Sequence, residues 1–518
     1  MQSASTQNGQ SKGLMHSLSR RPFFVVLMGI CSLSMIAPSQ HALSEDSHHV
    51  SRAFLYSALL FFVLTLFIGF ATANYKTSLS RGYLVSLVAA FLALPLMLAV
   101  PMYEAVPEMT FTEAWFEAVS SFTTTGATLY DNPDELPPSV HLWRAIMGWI
   151  GGLLMWVSAI SIFAPLNIGG FEVRSLRGGS VSDKSLTQIG RASDPSERLV
   201  RFGAKLVPLY SALTALLWMC LVAAGEEPFV ALCHAMSVLA TSGISPVDGL
   251  VFSPSGFLGE FIILLFFVFA LTRVSFSRGL TGVQLNPLHK DKEFRMALSL
   301  VAILTAVLFL RHGILTLDDT TSNNLESAAR AMWGAFFTIT SFLTTTGFAS
   351  AEWTTTQEWS GLGTPGLILV GLSVVGGGVA TTAGGIKLLR IYALWKHGQR
   401  EIERLVHPSS VGGAGAAARQ IRRQGAQISW IFFMIFAISI SVVMILLSLT
   451  GVQFETAMVL AVSALSTTGP LAAIGGETPI SYAGVPDIAK VVLAFAMALG
   501  RLEALAIIAL LNPEFWRR

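Results

Sequence analysis

Ten apolar segments run through this 518-residue chain. Most are long enough to cross a bilayer as a helix, which takes about 20 residues. They lie near residues 23–37, 52–73, 82–103, 142–165, 200–224, 256–275, 295–315, 363–396, 428–450 and 485–511. Charged residues make up 12% of the chain, too few to cover a soluble protein of this size, and the high apolar content excludes a disordered chain. The sequence therefore predicts an all-α polytopic membrane protein.

The N-terminal region divides into a polar part and two apolar segments. Residues 1–21 are polar and are predicted to form a disordered tail. Residues 23–37 fit either the apolar region of a signal peptide, with small residues near 37–42, or a short transmembrane helix. Because no soluble domain follows that would need export, we favour the helix and predict two transmembrane helices within residues 22–75.

The loops between the apolar segments alternate in charge. Lys and Arg concentrate in every second loop, which places those loops and both termini in the cytoplasm. The other loops are acidic, as at Asp131, Asp134 and Glu135. An acidic outer face would concentrate cations, although acidic residues are also what remains outside once the basic residues lie inside.

A fourfold internal repeat underlies the chain. Short helical stretches between the long segments, most of them too short to span a bilayer, cover residues 111–122, 228–240, 327–343 and 454–465. Each leads into a hydroxyl-rich turn with a glycine, and the glycines are 117, 104 and 122 residues apart. The turn residues are Thr124, Thr125, Gly126, Thr241, Ser242, Gly243, Thr345, Thr346, Gly347, Thr467, Thr468 and Gly469. This period predicts four repeat units, which cover residues 76–190, 191–285, 286–425 and 426–518.

The four turns have the composition of an ion filter. A polar backbone turn at membrane depth is tolerated where it lines a water-filled cavity. Glycine permits backbone angles that let successive carbonyl groups face one axis, and rings of carbonyl oxygens can replace the water shell of a cation. The alternative is four helix-packing glycine motifs. Such motifs would lie inside the long helices rather than after short ones, so we favour the filter.

A glycine-rich run interrupts the eighth apolar segment at residues 376–385. Each glycine costs about 1 kcal/mol relative to alanine in a helix, so this run is predicted to break it. We interpret the break as a gate below the filter, and the alternative is a tight helix-crossing site rich in small residues. The predicted gate residues are Gly376, Gly377, Gly378, Thr381, Thr382, Gly384 and Gly385.

Arg501 lies near the middle of the last apolar segment. Insertion of a central arginine costs about 2.5–3.5 kcal/mol, so such a residue normally faces the protein interior and marks an ion path. We predict a pore barrier at Arg501. A structural arginine bonded to loop carbonyl groups is the alternative, and the two roles are compatible.

These motifs resemble the Trk/Ktr/HKT superfamily of potassium transporters, most closely the membrane subunit of TrkH/TrkG type, over about residues 52–512. The resemblance rests on the four glycine turns, Pro470 after the fourth, the run 376–387 and Gly500-Arg501-Leu502-Glu503. It implies four span–P-loop–span repeats with pseudo-fourfold symmetry around a pore, plus two N-terminal helices. It also implies an intramembrane gating loop, a homodimer and a cytoplasmic TrkA-like nucleotide-binding subunit. A glycine in all four loops implies potassium, whereas a serine in the first would imply sodium.

The predicted function is potassium uptake across the bacterial inner membrane, with K⁺ as the transported ion. No zinc-protease, Cys-x-x-Cys, Walker or Rossmann motif occurs, so we expect no enzyme activity, no covalently bound cofactor, and nucleotide only through a partner subunit. The net charge of +2 gives no indication of nucleic acid binding. The alternatives are a sodium-permeable member and a proton- or sodium-coupled symporter, for which Glu260 and Glu503 are the candidate intramembrane carboxylates.

Overall fold

The computed structural model describes residues 22–72, 80–164, 195–272, 288–315, 325–407 and 416–502. Within these ranges the chain forms helices and turns, and no strand. The all-helical prediction is confirmed for this part of the chain. The predicted tail at 1–21 and Glu503 lie outside the described residues.

Three N-terminal helices form a hairpin. They are α1 (Phe23–Ser34), α2 (Ile36–Ser44) and α3 (His48–Ala71). Both α1 and α2 pack on α3, and the Ser39 hydroxyl donates to the Ser51 carbonyl oxygen at 2.9 Å. The first apolar segment is therefore a helix that packs within the protein.

The remaining helices follow the order of the predicted units. In the first half they are α4 (Ser80–Leu92), α5 (Leu94–Ala105), α6 (Phe111–Phe122), α7 (Pro138–Ser158), α8 (Pro195–Ala223), α9 (Pro228–Ala240) and α10 (Gly256–Leu271). In the second half they are α11 (Lys292–Leu315), α12 (Leu325–Leu343), α13 (Trp353–Ser360), α14 (Gly366–Val375), α15 (Leu388–Val406), α16 (Ala416–Leu449), α17 (Phe454–Ser466), α18 (Leu471–Gly475) and α19 (Asp487–Arg501). A π-helical turn, Ala159–Phe163, extends α7, and short 3₁₀ turns occupy Pro133–Glu135 and Leu288–Lys290.

Seven helical segments in the described residues are long and apolar enough to cross a membrane. They are Phe23–Ser44, His48–Ala71, Val85–Ala105, Pro138–Phe163, Arg198–Ala223, Lys292–Leu310 and Gly425–Leu449. Shorter apolar helices accompany them. The segment at 363–396 is divided, because α14 ends at Val375 and α15 begins at Leu388. The length and composition of these helices make the chain a multi-pass membrane protein.

The short helices α6, α9, α12 and α17 connect neighbouring units. Each packs on the helices before and after it in its own unit. Each also contacts a helix of the preceding unit, through the pairs α7–α9, α10–α12, α14–α17 and α19–α6. Because the last pair joins the fourth unit to the first, these contacts close a ring.

The first short helix illustrates how the sequence fixes its start. Thr110 precedes α6, and its hydroxyl accepts the Glu113 N–H at 3.3 Å. The Glu113 carboxylate accepts the Thr110 N–H at 2.9 Å in return. This capping box satisfies two backbone donors that the first helical turn leaves without partners.

Candidate functional site

Each short helix ends in the same backbone conformation. A threonine two residues before the turn glycine lies in the left-handed region in all four units. Their φ angles are 57° at Thr124, 53° at Thr241, 57° at Thr345 and 54° at Thr467. A β-branched residue rarely adopts this region, and the strain is about 1–3 kcal/mol for each residue. Such strain at four matching positions indicates that the surrounding structure enforces the threonine conformation, although the glycine that follows has positive φ only in the first three units.

Backbone hydrogen bonds to the carbonyl oxygen of a serine stabilise that geometry. The residue after each left-handed threonine donates its N–H to the carbonyl oxygen five residues earlier, as in a Schellman turn. The pairs are Thr125–Ser120 at 2.8 Å, Ser242–Ser237 at 2.9 Å, Thr346–Ser341 at 3.0 Å and Thr468–Ser463 at 2.9 Å. Each of these serines stands six residues before its glycine, a spacing that recurs in the sequence but is not part of the predicted turn motif.

The four turns meet at one place in the protein. A Cβ atom on Gly126 would clash with the Ser242 carbonyl oxygen of the second unit. A Cβ atom on Gly243 would clash in the same way with the Thr346 carbonyl oxygen of the third. The order of these contacts follows the order of the units, so each turn lies against the next.

The third and fourth turns complete this order. A Cβ atom on Gly347 would lie 3.0 Å from the ring of Pro470 in the fourth turn. A Cβ atom on Gly469 would clash with the backbone of Ala127 in the first turn, and the Gly469 N–H donates to the Thr125 carbonyl oxygen at 2.6 Å. The twelve predicted filter residues are all buried in this assembly. Their assignment as an ion filter stays a prediction.

Side chains behind the turns hold the chain after each glycine. Nine residues before the glycine, Glu117, His234 and Thr338 each bond to a residue two or three positions after it. Leu460 takes this position in the fourth unit, where the Tyr482 hydroxyl donates to the Gly469 carbonyl oxygen at 3.1 Å instead. Burial raises the pKa of Tyr482, so this hydroxyl keeps the proton that it donates.

Glu260 also braces the third turn. Its carboxylate is 4% exposed and accepts hydrogen bonds from the Trp333 indole at 2.6 Å, the Ser350 hydroxyl at 2.7 Å and the Ala351 N–H at 2.7 Å. Three donors fix this carboxylate beside the chain that follows Gly347. Its surroundings are those of a structural carboxylate.

The glycine-rich run forms a closed loop between α14 and α15. Its two ends pair, because the Ile386 and Lys387 N–H groups donate to the Val374 and Val375 carbonyl oxygens at 2.9 and 3.0 Å. Gly376 and Gly385 have positive φ, 69° and 74°, and their backbones touch. The predicted gate residues Gly377, Gly378, Thr381, Thr382 and Gly384 lie within this loop.

The loop contacts the third and fourth turns and the end of the helix before the second turn. The Gly384 N–H donates to the Thr345 hydroxyl at 2.7 Å, and a Cβ atom on Gly384 would clash with Ser466 and Thr467. The Thr382 hydroxyl donates to the Leu239 carbonyl oxygen at 3.0 Å, which joins the loop to the end of α9. The loop is therefore packed against the helix ends from which the second, third and fourth turns arise.

Arg501 binds to the glycine-rich loop. It is 3% exposed, and its Nη1 donates to the Thr382 carbonyl oxygen at 2.6 Å. On the other side of the loop, the buried Glu293 carboxylate accepts the Val379 N–H at 3.2 Å. The glycine-rich loop is thus held by side chains from two helices outside its own hairpin. The barrier role of Arg501 stays a prediction.

The chain after the first turn is acidic. Asp131, Asp134 and Glu135 are exposed after it. Tyr130 lies beside them, and its burial together with the neighbouring Glu117 carboxylate raises the pKa of its hydroxyl. Within the described residues, no cluster of three or more His, Cys, Asp or Glu side chains has the arrangement of a metal site.

Comparisons with known proteins agree with this arrangement of helices. The family model TrkH, a cation transport protein, matches residues 50–253 and 261–517. The Trk system potassium uptake protein TrkH of Vibrio parahaemolyticus is 30% identical over 504 residues, covering 95% of this chain and 98% of that protein. TrkG of Escherichia coli K12 is 28% identical over 503 residues, covering 95% and 97%. The crystal structure of the potassium transporter TrkH from Vibrio parahaemolyticus superposes with a TM-score of 0.78 at 27% identity, covering 97% of this chain and 99% of that one.

Proposed function

Because this chain belongs to the TrkH family of cation transport proteins, we propose that it takes up potassium ions through a selective pore lined by its four turns. The observation that carries the proposal is the closed order of contacts from Gly126 through Gly243 and Gly347 to Gly469 and back. Four equivalent turns around one axis would give the pore pseudo-fourfold symmetry. Relatives of matching length are named as Trk system potassium uptake proteins, which supports potassium as the cargo.

The proposed ion path begins at the acidic outer loops and continues to the four turns. A potassium ion exchanges its water for carbonyl oxygens of the turns. An inside-negative membrane potential favours entry by about 2.3 kcal/mol per charge for each 100 mV. The turns need no large rearrangement to hold the ion, because their strained conformation is already fixed by the serine bonds.

The glycine-rich loop acts as the gate in this proposal. It packs below the turns and is tied to them through Thr345 and Leu239. Arg501 holds the loop at Thr382 and places a positive charge beside the path of the cation. Release of the loop would open the lower end of the pore.

The proposal places the protein in the bacterial inner membrane with both termini in the cytoplasm. It functions as a homodimer with a cytoplasmic TrkA-like subunit that binds the regulatory nucleotide. The chain itself carries no covalently bound cofactor. The naming of its relatives as parts of a Trk system supports an assembly of several components.

Ion flux into reconstituted vesicles tests the main proposal. With an inside-negative potential, purified protein should carry ⁸⁶Rb⁺ or K⁺ inward and discriminate strongly against Na⁺. Vesicles without protein provide the background. Sodium uptake equal to potassium uptake would contradict the proposed selectivity, and uptake of neither ion would contradict transport by the isolated subunit.

A symporter driven by protons or sodium is the alternative, and Glu260 tests it. We expect Glu260→Gln to leave the response of flux to proton and sodium gradients unchanged, since its carboxylate is occupied by three fixed donors. We expect a loss of stability of about 1–3 kcal/mol, because an amide cannot accept all three bonds. Gradient-dependent flux and thermal unfolding are the two measurements.

Glu226 provides a matched control for this experiment. It is equally buried, and its carboxylate accepts hydrogen bonds from Ser253 and Ser255 rather than from the third turn. Glu226→Gln should also lower stability and leave gradient dependence unchanged. Loss of gradient-driven flux in Glu260→Gln, with normal behaviour of the Glu226 variant, would support the symporter instead.

A further inference from the structure

A buried ion pair lies behind the first turn. The Nε of Arg144, on α7, is 2.8 Å from an oxygen of Glu117, on α6, and the two side chains are 3% and 0% exposed. Burying two charges removes their hydration, so such a pair is weak evidence for a contribution to stability. Its contacts with the turn suggest a different role.

The second oxygen of Glu117 holds the chain that leaves the first turn. It accepts the Leu129 N–H at 2.6 Å and the Thr128 hydroxyl at 2.9 Å. These residues lie two and three positions after Gly126. Between them and the glycine, the Ala127 carbonyl oxygen accepts the Ser120 hydroxyl at 2.6 Å. One carboxylate and one hydroxyl of α6 therefore fix three consecutive residues.

In the other units, the residue nine positions before the glycine is not a carboxylate. His234 bonds to Ser245 at 2.9 Å, and Thr338 accepts the Ser350 N–H at 3.1 Å. The fourth unit has Leu460 there. The first unit has an arginine–carboxylate pair at this position. The bonds that the Glu117 carboxylate accepts from Thr128 and Leu129 are charge-assisted, and such bonds are stronger than neutral ones.

We infer that Glu117 and Arg144 are a positioning pair that sets the discrimination between potassium and sodium at the first turn, an inference that rests on the proposed potassium pore. Arg144 fixes the orientation of the carboxylate, and the carboxylate fixes Thr128 and Leu129. The carbonyl oxygens of the first turn, which lies between α6 and this anchored chain, then keep the distances to the ion that suit potassium. Without the anchor, the first turn can adjust to the smaller ion.

The experiment compares ion selectivity and stability for four variants in vesicles. Glu117→Gln removes the charge of the carboxylate. Thr128→Val removes the hydroxyl that donates to Glu117 at 2.9 Å and accepts the Tyr130 N–H at 3.3 Å, without touching the ion pair. The double variant Glu117→Gln/Arg144→Met leaves no isolated buried charge, so it is expected to fold even where the single variant does not. A matched control is the double variant Glu113→Gln/Lys490→Met. Glu113 lies one helical turn earlier on α6, and its Oε1 is 3.5 Å from the Nζ of Lys490 on α19.

We expect the potassium to sodium flux ratio to fall about tenfold in Glu117→Gln and in the double variant, a change of about 1.4 kcal/mol. Thr128→Val should lower it in the same direction by a smaller factor. Maximal potassium flux per folded protein should stay within about twofold of the wild type in all of them, as should the ratio in the control.

Three results would overturn the inference while the wild type still transports potassium selectively. A wild-type ratio in the double variant would show that the charge pair is not required. Lower thermal stability in all variants with an unchanged ratio would make the pair purely structural. An equal fall of the ratio in the control variant would assign the effect to charge on the protein surface near the turn. A wild type without potassium selectivity would contradict the proposed function itself.

Discussion

Replacing Gly126 by serine should lower the preference for potassium over sodium by about tenfold or more. The added Cβ clashes with the Ser242 carbonyl oxygen, so a carbonyl of the neighbouring turn must move. The backbone at Gly126 also has a φ of 75°, which costs about 1–3 kcal/mol for a residue with a side chain. A difference of about 1.4 kcal/mol between two ions is a tenfold change in preference. The flux ratio of potassium to sodium in vesicles measures it.

The same substitution at Gly347 should have a smaller effect. Its φ of 87° carries a similar strain, but the nearest atom to an added Cβ is the ring of Pro470 at 3.0 Å, which needs to move only slightly. Comparing the flux ratios of the Gly126 and Gly347 variants therefore separates the effect of a displaced carbonyl group from the effect of backbone strain. Equal losses at both positions would assign the effect to strain alone.

Gly451 is the control for strain outside the turns. Its φ is 93°, and a Cβ atom there would meet no heavy atom within 4 Å among the residues that the structure describes. Gly451→Ser should lower stability slightly and leave the flux ratio at its wild-type value. An unchanged ratio in Gly126→Ser as well would contradict the assignment of the turns as the filter.

Much of this arrangement is predictable from the sequence because it depends on local patterns. The predicted short helices at 111–122 and 228–240 have the bounds that the structure gives them. The break in the segment at 363–396 follows from its glycines, which disfavour a helix wherever they occur. The spacing of the turn glycines likewise needs no knowledge of tertiary contacts.

The parts that the sequence did not reveal depend on contacts between distant residues. The sequence marks Arg501 as a buried arginine but does not mark Arg144, because an arginine near a helix start resembles one that reaches the membrane surface. Its partner Glu117 lies on another helix, and no periodicity links the two. Glu260 was considered for ion coupling, and its three donors come from residues 73 to 91 positions away.

The left-handed threonines show a second limit of the sequence. Glycine is the usual residue for that conformation, so the sequence indicates it at the turn glycines and not at the threonines. The structure has threonine in the left-handed region two residues earlier, in all four units. Backbone bonds to the serine carbonyl oxygens and the packing of neighbouring turns stabilise this conformation. The strain and the bonds together indicate that the turns are held in one rigid conformation.

Deletion of residues 377–384 should raise basal potassium flux by about tenfold or more. The deletion removes the bonds that hold the loop in place, which link Gly384 to Thr345, Thr382 to Leu239, Arg501 to Thr382 and Val379 to Glu293. Each such bond contributes about 1 kcal/mol net, and about 1.4 kcal/mol is a tenfold change in an equilibrium. Flux without a regulatory subunit, normalised to the amount of folded protein, is the measurement.

The geometry of the loop makes this deletion feasible. Gly376 and Gly385 have backbones in contact, since a Cβ atom on Gly385 would lie 2.7 Å from the Cα of Gly376. Joining the two residues therefore requires little movement of α14 or α15. The paired bonds from Ile386 and Lys387 to α14 lie outside the deleted residues and should survive. The shortened protein is expected to fold with the four turns in place.

Two point variants separate an open gate from a damaged protein. Arg501→Gln removes the charge that holds Thr382 and should raise basal flux by a smaller factor, with selectivity preserved because the turns are untouched. Gly371→Ala, on α14 where an added Cβ meets no heavy atom within 4 Å among the described residues, should leave flux unchanged. If the deletion variant folds and keeps wild-type flux, the loop is a packing element between helices, because the ion path does not need it to move.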